Sequence, residues 1–282
     1  MSNPRAIFAI STSGLANRIH LAASVIRLGP KLKRMPYIVW PECEQLKAPF
    51  NSLFMTNWPI AGQDEFQAWL FRTERTTKVY NLGQQFEIAP DDKEDIMAIK
   101  SYTAVRLAGE SHAEAVAEEN RILRALRPVA RAIVRVETLL EKARRPLVGF
   151  HIRTGDILGR HFCKDFVERK VNSFSNGVDD FMKEASTVIA AGFDILVCSD
   201  DVNCERALAA LYPGNVIFQE KGLGWRETAD GMVEAVVDLF ALSRTRAIVG
   251  TSGSQFSQLS ASLGNIPLFL AGTGQLNLKA LR

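Results

Sequence analysis

The sequence predicts an α/β protein built on parallel sheets with helices on both faces. Short, continuous apolar runs at 147–152, 195–198, 247–249 and 267–270 have the length of fully buried strands. They alternate with amphipathic helical segments at 178–190, 202–211, 228–243 and 255–263. That rhythm belongs to βαβ crossovers. The chain has 282 residues, 47% apolar and 23% charged. It is longer than one ordinary domain and can bury a sizeable core.

The elements follow in order. Ala6–Ile10 is an apolar run of strand formers, and Ser11–Gly14 is a turn. Leu15, Ile19, Ala22 and Ile26 recur at helical spacing, and Gly29–Pro30 is expected to stop that helix. Residues 37–40 form a second strand. The stretch 51–100 has aromatic residues but no steady period, so short elements and loops are expected there. A helix is expected over 110–126. Pro128 suits the start of the next, whose Val129, Ile133, Val136 and Leu140 mark one face. Arg144–Arg145 and Pro146 close it, since cations favour a helix C-terminus. The domain boundary is therefore expected there, giving an N-terminal domain 1–145 and a C-terminal domain 146–282.

Composition excludes several classes. Lys and Arg number 34 against 31 Asp and Glu, so the net charge of +3 is too small for a nucleic-acid footprint. No apolar run reaches the roughly 18 residues that span a bilayer, and the opening run is too short for a signal-peptide core. Cys43, Cys163, Cys198 and Cys204 form no CxxC pair. A reducing, cytoplasmic, bacterial-style setting is expected, with no metal cluster. The sequence contains neither GxxxxGK[ST] nor a GxGxxG after a strand, so nucleoside-triphosphatase and dinucleotide sites lack support.

In an open α/β sheet, ligands bind beyond the carboxyl ends of the strands. The loops there are Ser11 to Arg18, Arg153 to Asp156, Ser199 to Asp201 and Gly250 to Gln255. Each is small, polar or charged, as suits anion binding by N–H groups and helix N-termini. Ser, Thr, Asp and Gly also serve as ordinary caps and turns. His151 and Arg153 alternate at the end of a strand and share a face. A guanidinium there can chelate phosphate, unless an internal ion pair consumes it. Asp238 lies in the apolar stretch 236–240, and a buried carboxylate needs partners. Two are open: a base edge with two parallel donors, as in guanine, or a salt bridge to Arg244, Arg246 or another basic group.

Together these motifs resemble a known group. Gly14-Leu-Ala-Asn-Arg18, His151-Ile-Arg153-Thr-Gly-Asp156, and Asp238-Leu-Phe-Ala-Leu-Ser243 followed by Gly250-Thr-Ser-Gly-Ser-Gln255 resemble three motifs of the GDP-fucose-dependent fucosyltransferases. That superfamily takes in the α1,6-fucosyltransferase, NodZ-like and protein O-fucosyltransferase groups. Order and spacing agree from residue 11 to about 264. The resemblance implies a GT-B-like architecture of two Rossmann-like domains facing each other across a cleft. It implies inverting, metal-independent transfer of L-fucose from GDP-fucose, the donor substrate, to a glycan or other hydroxyl acceptor, with no cofactor. By similarity, Arg153 holds the β-phosphate and stabilises the leaving GDP. His151 and Asp238 contact guanine, and Asp200 helps hold the nucleotide. Thr251, Ser254 and Gln255 bind phosphate or ribose, and Gly14, Asn17 and Arg18 lie on the pyrophosphate and sugar side.

Two positions depart from the pattern. Some relatives carry a second arginine where this chain has Thr154. The α1,6 enzymes carry a carboxylate where this chain has His161. An imidazole can take a proton from an acceptor hydroxyl near neutral pH, and Asp156 is the other candidate base. An inactive nucleotide-sugar-binding protein of the same fold is the alternative, and an unrelated α/β binding domain is a third reading.

Overall fold

The computed structural model describes residues 5–70, 76–83, 87–89, 93–101, 103–154, 178–221 and 228–281. Contacts divide the chain into two compact units. One comprises Met1–Val129 with Gly224–Val233, the other Ala130–Leu223 with Glu234–Arg282. The helix Ala130–Leu140, placed ahead of the boundary by the sequence reading, groups with the second unit.

The first unit holds a five-stranded sheet of order β3-β2-β1-β6-β4. Its strands are β1 (Ala6–Ile10), β2 (Met35–Val39), β3 (Ile60–Ala61), β4 (Thr77–Gly83) and β6 (Ile96–Ser101), all paired in parallel. A small parallel pair, β5 (Glu87–Ile88) and β7 (Arg106–Leu107), lies outside it. Phe8 on β1 stacks on Tyr37 at 5.1 Å and meets Phe66 of helix α3 (Gln63–Leu70) at 5.0 Å. Such aromatic pairs add to the apolar burial that drives the sheet together.

Helix α1 (Leu15–Lys31) does not stop at Gly29–Pro30; Pro30 lies inside its last turn. Proline there removes only one of the final N–H bonds. The end is a Schellman motif, in which Arg34 N donates to Gly29 O at 2.8 Å and Lys33 N to Pro30 O at 3.1 Å. Lys33, at φ 54°, takes the left-handed position usually given to glycine. The face of α1 toward α4 (His112–Leu123) is polar: His20 pairs with Glu119 at 2.9 Å, and Arg27 and Lys31 both reach Glu110. The short α2 (Phe50–Leu53) packs Phe50 against Trp40 and Trp58.

The second unit holds a five-stranded sheet of order β10-β9-β8-β11-β12, again all parallel. Its strands are β8 (Leu147–Ile152), β9 (Asp194–Ser199), β10 (Val216–Ile217), β11 (Ile248–Gly250) and β12 (Leu268–Leu270). After α5 (Ala130–Leu140), its helices are α6 (Val178–Ala190), α7 (Val202–Leu211), α8 (Ala229–Leu242), which belongs to this unit from Glu234 on, and α9 (Gln255–Gly264). Every residue of β8 and β9 is buried, as a strand covered on both faces must be. Phe150, Phe181, Val188, Ile195 and Val197 anchor this core. Two glycines of the sheet admit close neighbours. A Cβ at Gly149 would lie 2.7 Å from Leu242, and one at Gly250 would lie 2.6 Å from Ser257 Oγ.

Both sheets reverse direction at a switch point. The chain runs outward from β1 to β2 and β3, then places β6 on the other side of β1. It repeats this with β8, β9 and β10, followed by β11 beside β8. Crevices at the carboxyl ends of β1 and β8 are therefore where this topology puts ligands.

Candidate functional site

In the second unit, Arg153 directly follows the carboxyl end of β8, at the switch point with β11. Its backbone N–H donates to Thr251 Oγ1 at 2.9 Å, and Thr251 Oγ1 donates to His151 O at 3.2 Å. Thr251 is buried, so its hydroxyl works as a bridge between β8 and the loop after β11. The Arg153 guanidinium meets Asp200 through Nε at 3.4 Å, and its side chain remains 24% exposed. This is an internal ion pair of the kind that counts against a ligand role. The side chain nonetheless still reaches solvent.

Asp200, expected to help hold a nucleotide, is engaged within the protein. Its Oδ1 accepts from Thr154 N at 2.7 Å and from Thr154 Oγ1 at 2.9 Å, while Oδ2 faces Arg153. Thr154 thus fixes the carboxylate that orients Arg153. Asp201 caps α7 by accepting from Asn203 N at 2.9 Å.

His151 is buried and shares a 2.8 Å hydrogen bond with Ser257 Oγ through Nδ1. Its ring stacks on Phe256 at 4.8 Å and 19°. Burial drives its pKa down to about 3; Asp200 opposes the shift, and Arg153 and Lys221 add to it. The imidazole is therefore neutral. Ser254 is the N-cap of α9, accepting from Ser257 N, and lies 3.3 Å from His151 Nδ1. Gly253 has φ 74°, a left-handed turn that favours glycine. Gln255, the first residue of α9, is half-buried and makes no hydrogen bond among the described residues. Of the 250–255 loop, Thr251 acts in bridging and Ser254 in capping.

Asp238 has taken the salt-bridge option. Its Oδ2 lies 2.6 Å from Lys221 Nζ, and its Oδ1 accepts from Gln219 Nε2 at 3.3 Å. Each oxygen thereby has a partner inside the protein. The partner is neither Arg244, which pairs with Glu137, nor Arg246. Lys221 is fully buried and also reaches Glu205 Oε1 at 2.5 Å and Ser199 O at 2.9 Å. Burial pulls its ammonium pKa down, but the two carboxylates outweigh this and hold it above its ordinary value. Glu205 is pushed up to about 7, first by burial and then by the Asp238 charge. Its Oε2 has no hydrogen-bond partner among the described residues.

In the first unit, the turn after β1 opens α1. Ser11 and Ser13 share a 2.6 Å hydrogen bond, and Gly14 is the N-cap with no side-chain cap bond. Gly14 has an ordinary φ of −65°, and a Cβ built on it would meet nothing within 4 Å. Nothing inside the unit therefore requires glycine there. Asn17 is half-buried and makes no hydrogen bond among the described residues. Arg18 is 2% exposed, and its guanidinium is held within the unit. Its guanidinium donates to Ser13 O at 2.7 Å, Pro41 O at 2.5 Å and Cys43 Sγ at 2.9 Å, and it lies over the Trp40 ring. A buried guanidinium needs such acceptors, and these take three of its five N–H groups. Asp156 and His161 lie outside the described residues.

Sequence reasoning missed Lys221, Gln219 and Glu205. Glu205 left a signal, since it shares the buried face of α7 with Leu208. Lys221 left none, being one lysine in a polar segment after β10.

No family model and no curated protein matches the sequence. Comparison of folds does find similar structures. NodZ α1,6-fucosyltransferase soaked with GDP-fucose superposes with a TM-score of 0.64 at 13% identity, over 93% of each chain. Fucosyltransferase NodZ from Bradyrhizobium gives 0.64 at 14% identity, over 98% of each chain. POFUT1 in complex with GDP-fucose gives 0.55 at 13% identity, over 96% of this chain and 99% of that one. The chain has the α/β fold of parallel sheets seen in these fucosyltransferases. Among the described residues, no helix is long and apolar enough to cross a membrane.

Proposed function

We propose that the chain is an inverting, metal-independent glycosyltransferase that moves L-fucose from GDP-fucose to a glycan or other hydroxyl acceptor. One observation carries this reading. A chain that shares its fold with fucosyltransferases over nearly its whole length has a partly exposed arginine at the tip of β8, beside the switch point. In this reading the two units are the Rossmann-like halves of a GT-B enzyme.

The chemistry follows from the residue types. The acceptor oxygen attacks the sugar C1 from the face opposite the diphosphate. The C1–O bond to the β-phosphate breaks, and its electron pair leaves with GDP. Negative charge builds on the phosphate, and a pre-oriented guanidinium stabilises that charge without a metal. Arg153 is held for this by Asp200 and Thr251. Gly14 and Asn17 offer an unobstructed N–H turn and a free amide for the sugar–pyrophosphate side, and Gln255 offers another amide. The acceptor proton goes to His161 or Asp156. The neutral His151 is a packing partner of Phe256 in this scheme and not the base.

The test is turnover of GDP-fucose with a panel of glycan acceptors, with and without EDTA. Release of GDP that depends on acceptor and persists in EDTA supports the proposal. Donor binding without turnover supports an inactive nucleotide-sugar-binding protein, and loss of activity in EDTA contradicts metal independence.

A further inference from the structure

Lys221 is a buried cation whose contacts converge on one residue beside the candidate site. Its Nζ donates to Ser199 O at 2.9 Å, and Glu205 Oε1, 2.5 Å from the same Nζ, accepts from Ser199 N at 2.7 Å. Both main-chain groups of Ser199, the last residue of β9, are therefore gripped by the Lys221–Glu205 pair. Asp238 completes the triad from α8 and balances the ammonium charge. The Ser199 hydroxyl donates to Ile152 O at 2.8 Å, on the last residue of β8, and accepts from Asp201 N at 3.0 Å. The next residue is Asp200, whose two oxygens hold Thr154 and the Arg153 Nε.

We infer that Lys221 is a positioning residue for Arg153, acting through Ser199 and Asp200. The inference rests on the fucosyl-transfer reading for its functional consequence, but its structural part stands alone. Lys221 does not act by touching the donor, because its side chain is 0% exposed. A clamp of this kind has a physical purpose. Strand ends fray, because their last N–H and C=O groups leave the ladder. A guanidinium aimed at a developing charge must be held to a fraction of an ångström, and displacement by about 1 Å can cost about a hundredfold in rate. A buried triad fixes the end of β9 on three sides, from β10's exit, α7 and α8. Asp200 is carried on that fixed end.

The test uses Lys221→Met in the full chain. Removing the one cation leaves two buried carboxylates facing each other without it, which is strongly destabilising, whereas neutralising all three is usually tolerated. The triple variant Lys221→Met, Glu205→Gln, Asp238→Asn is therefore made alongside. The first readout is the Arg153 Nε–H cross-peak in a proton–nitrogen spectrum, assigned by its loss in Arg153→Lys. The expected result is hydrogen exchange at that Nε at least about tenfold faster in either folded variant, with the buried Arg18 and Arg27 side chains of the other unit unchanged. Unchanged protection at Arg153 would overturn the inference, whatever the activity. The second readout is kinetic. Charge develops only as the donor bond breaks, so kcat is expected to fall about ten- to hundredfold while KM for GDP-fucose moves less than about threefold. Loss confined to KM, or none, would overturn the functional part. A wild-type protein that neither binds nor turns over GDP-fucose would instead refute the fucosyl-transfer reading, and the spectrum would still decide the positioning claim.

Discussion

Replacing Glu205 by Gln should flatten the dependence of stability on pH. Glu205 sits at 0% side-chain exposure, with one oxygen bonded to Lys221 and Ser199 N and the other without a partner among the described residues. Its folded pKa of about 7 lies above the ordinary carboxyl range, chiefly because burial disfavours the charge. The native state therefore binds this proton more tightly than the unfolded chain does. The contribution is fully present below pH 4.5 and is lost as pH rises toward 7. That difference in proton affinity corresponds to about 3 kcal/mol. Gln keeps an oxygen for Lys221 and Ser199 N and carries no charge to bury. Urea unfolding of both proteins at pH 5, 6, 7 and 8 is the assay. The two should match near pH 5, and the variant should be the more stable by about 2–3 kcal/mol at pH 8. Curves that stay parallel across the range would refute the reasoning, because Glu205 would then hold one protonation state throughout.

Gly250→Ala should destabilise the second unit by about 1–3 kcal/mol through overpacking, since the new Cβ would lie 2.6 Å from Ser257 Oγ and 2.8 Å from Ser257 Cβ. Chemical denaturation measures this, and an unchanged midpoint would show that α9 shifts freely away from β11. Glu110 should make the first unit acid-sensitive. Burial alone would raise its pKa, but hydrogen bonds from Arg27, Lys31 and the Leu107 N–H outweigh that and hold it at about 2. Its contribution is present above pH 4.5 and fades as pH falls toward 2. The stability gap between wild type and Glu110→Gln should accordingly close over that interval, and a gap that is constant with pH would exclude the assignment.

The strands and helices of the second unit were readable because each strand there is a continuous apolar run between polar turns. β6 was not read, although it pairs with both β1 and β4. Its apolar core, Ile96 to Ile99, is only four residues long and sits between Asp95 and Lys100, so it merged with the irregular stretch around it. Gly29–Pro30 misled for a different reason. Both residues punctuate chains by local preference, but a Schellman closure at Lys33 and Arg34 absorbs them into the last turn. The site was legible as positions and less so as roles. Arg153, His151 and the 250–255 loop do meet at one switch point. Which of their groups face inward depends on partners far away in sequence, and no local pattern encodes those. Asp238 stood out as a charge in an apolar run, whereas Lys221, 17 positions earlier, did not, because the fold alone brings the two together.

The central claim is that Arg153 carries the charge of the departing diphosphate. Calorimetric titration of GDP into wild type and Arg153→Ala tests it most directly, with unfolding midpoints measured to confirm that both are folded. One charge-assisted hydrogen bond contributes about 1.5–3 kcal/mol, so GDP affinity should fall about ten- to hundredfold. Equal affinity in the two proteins would contradict the account.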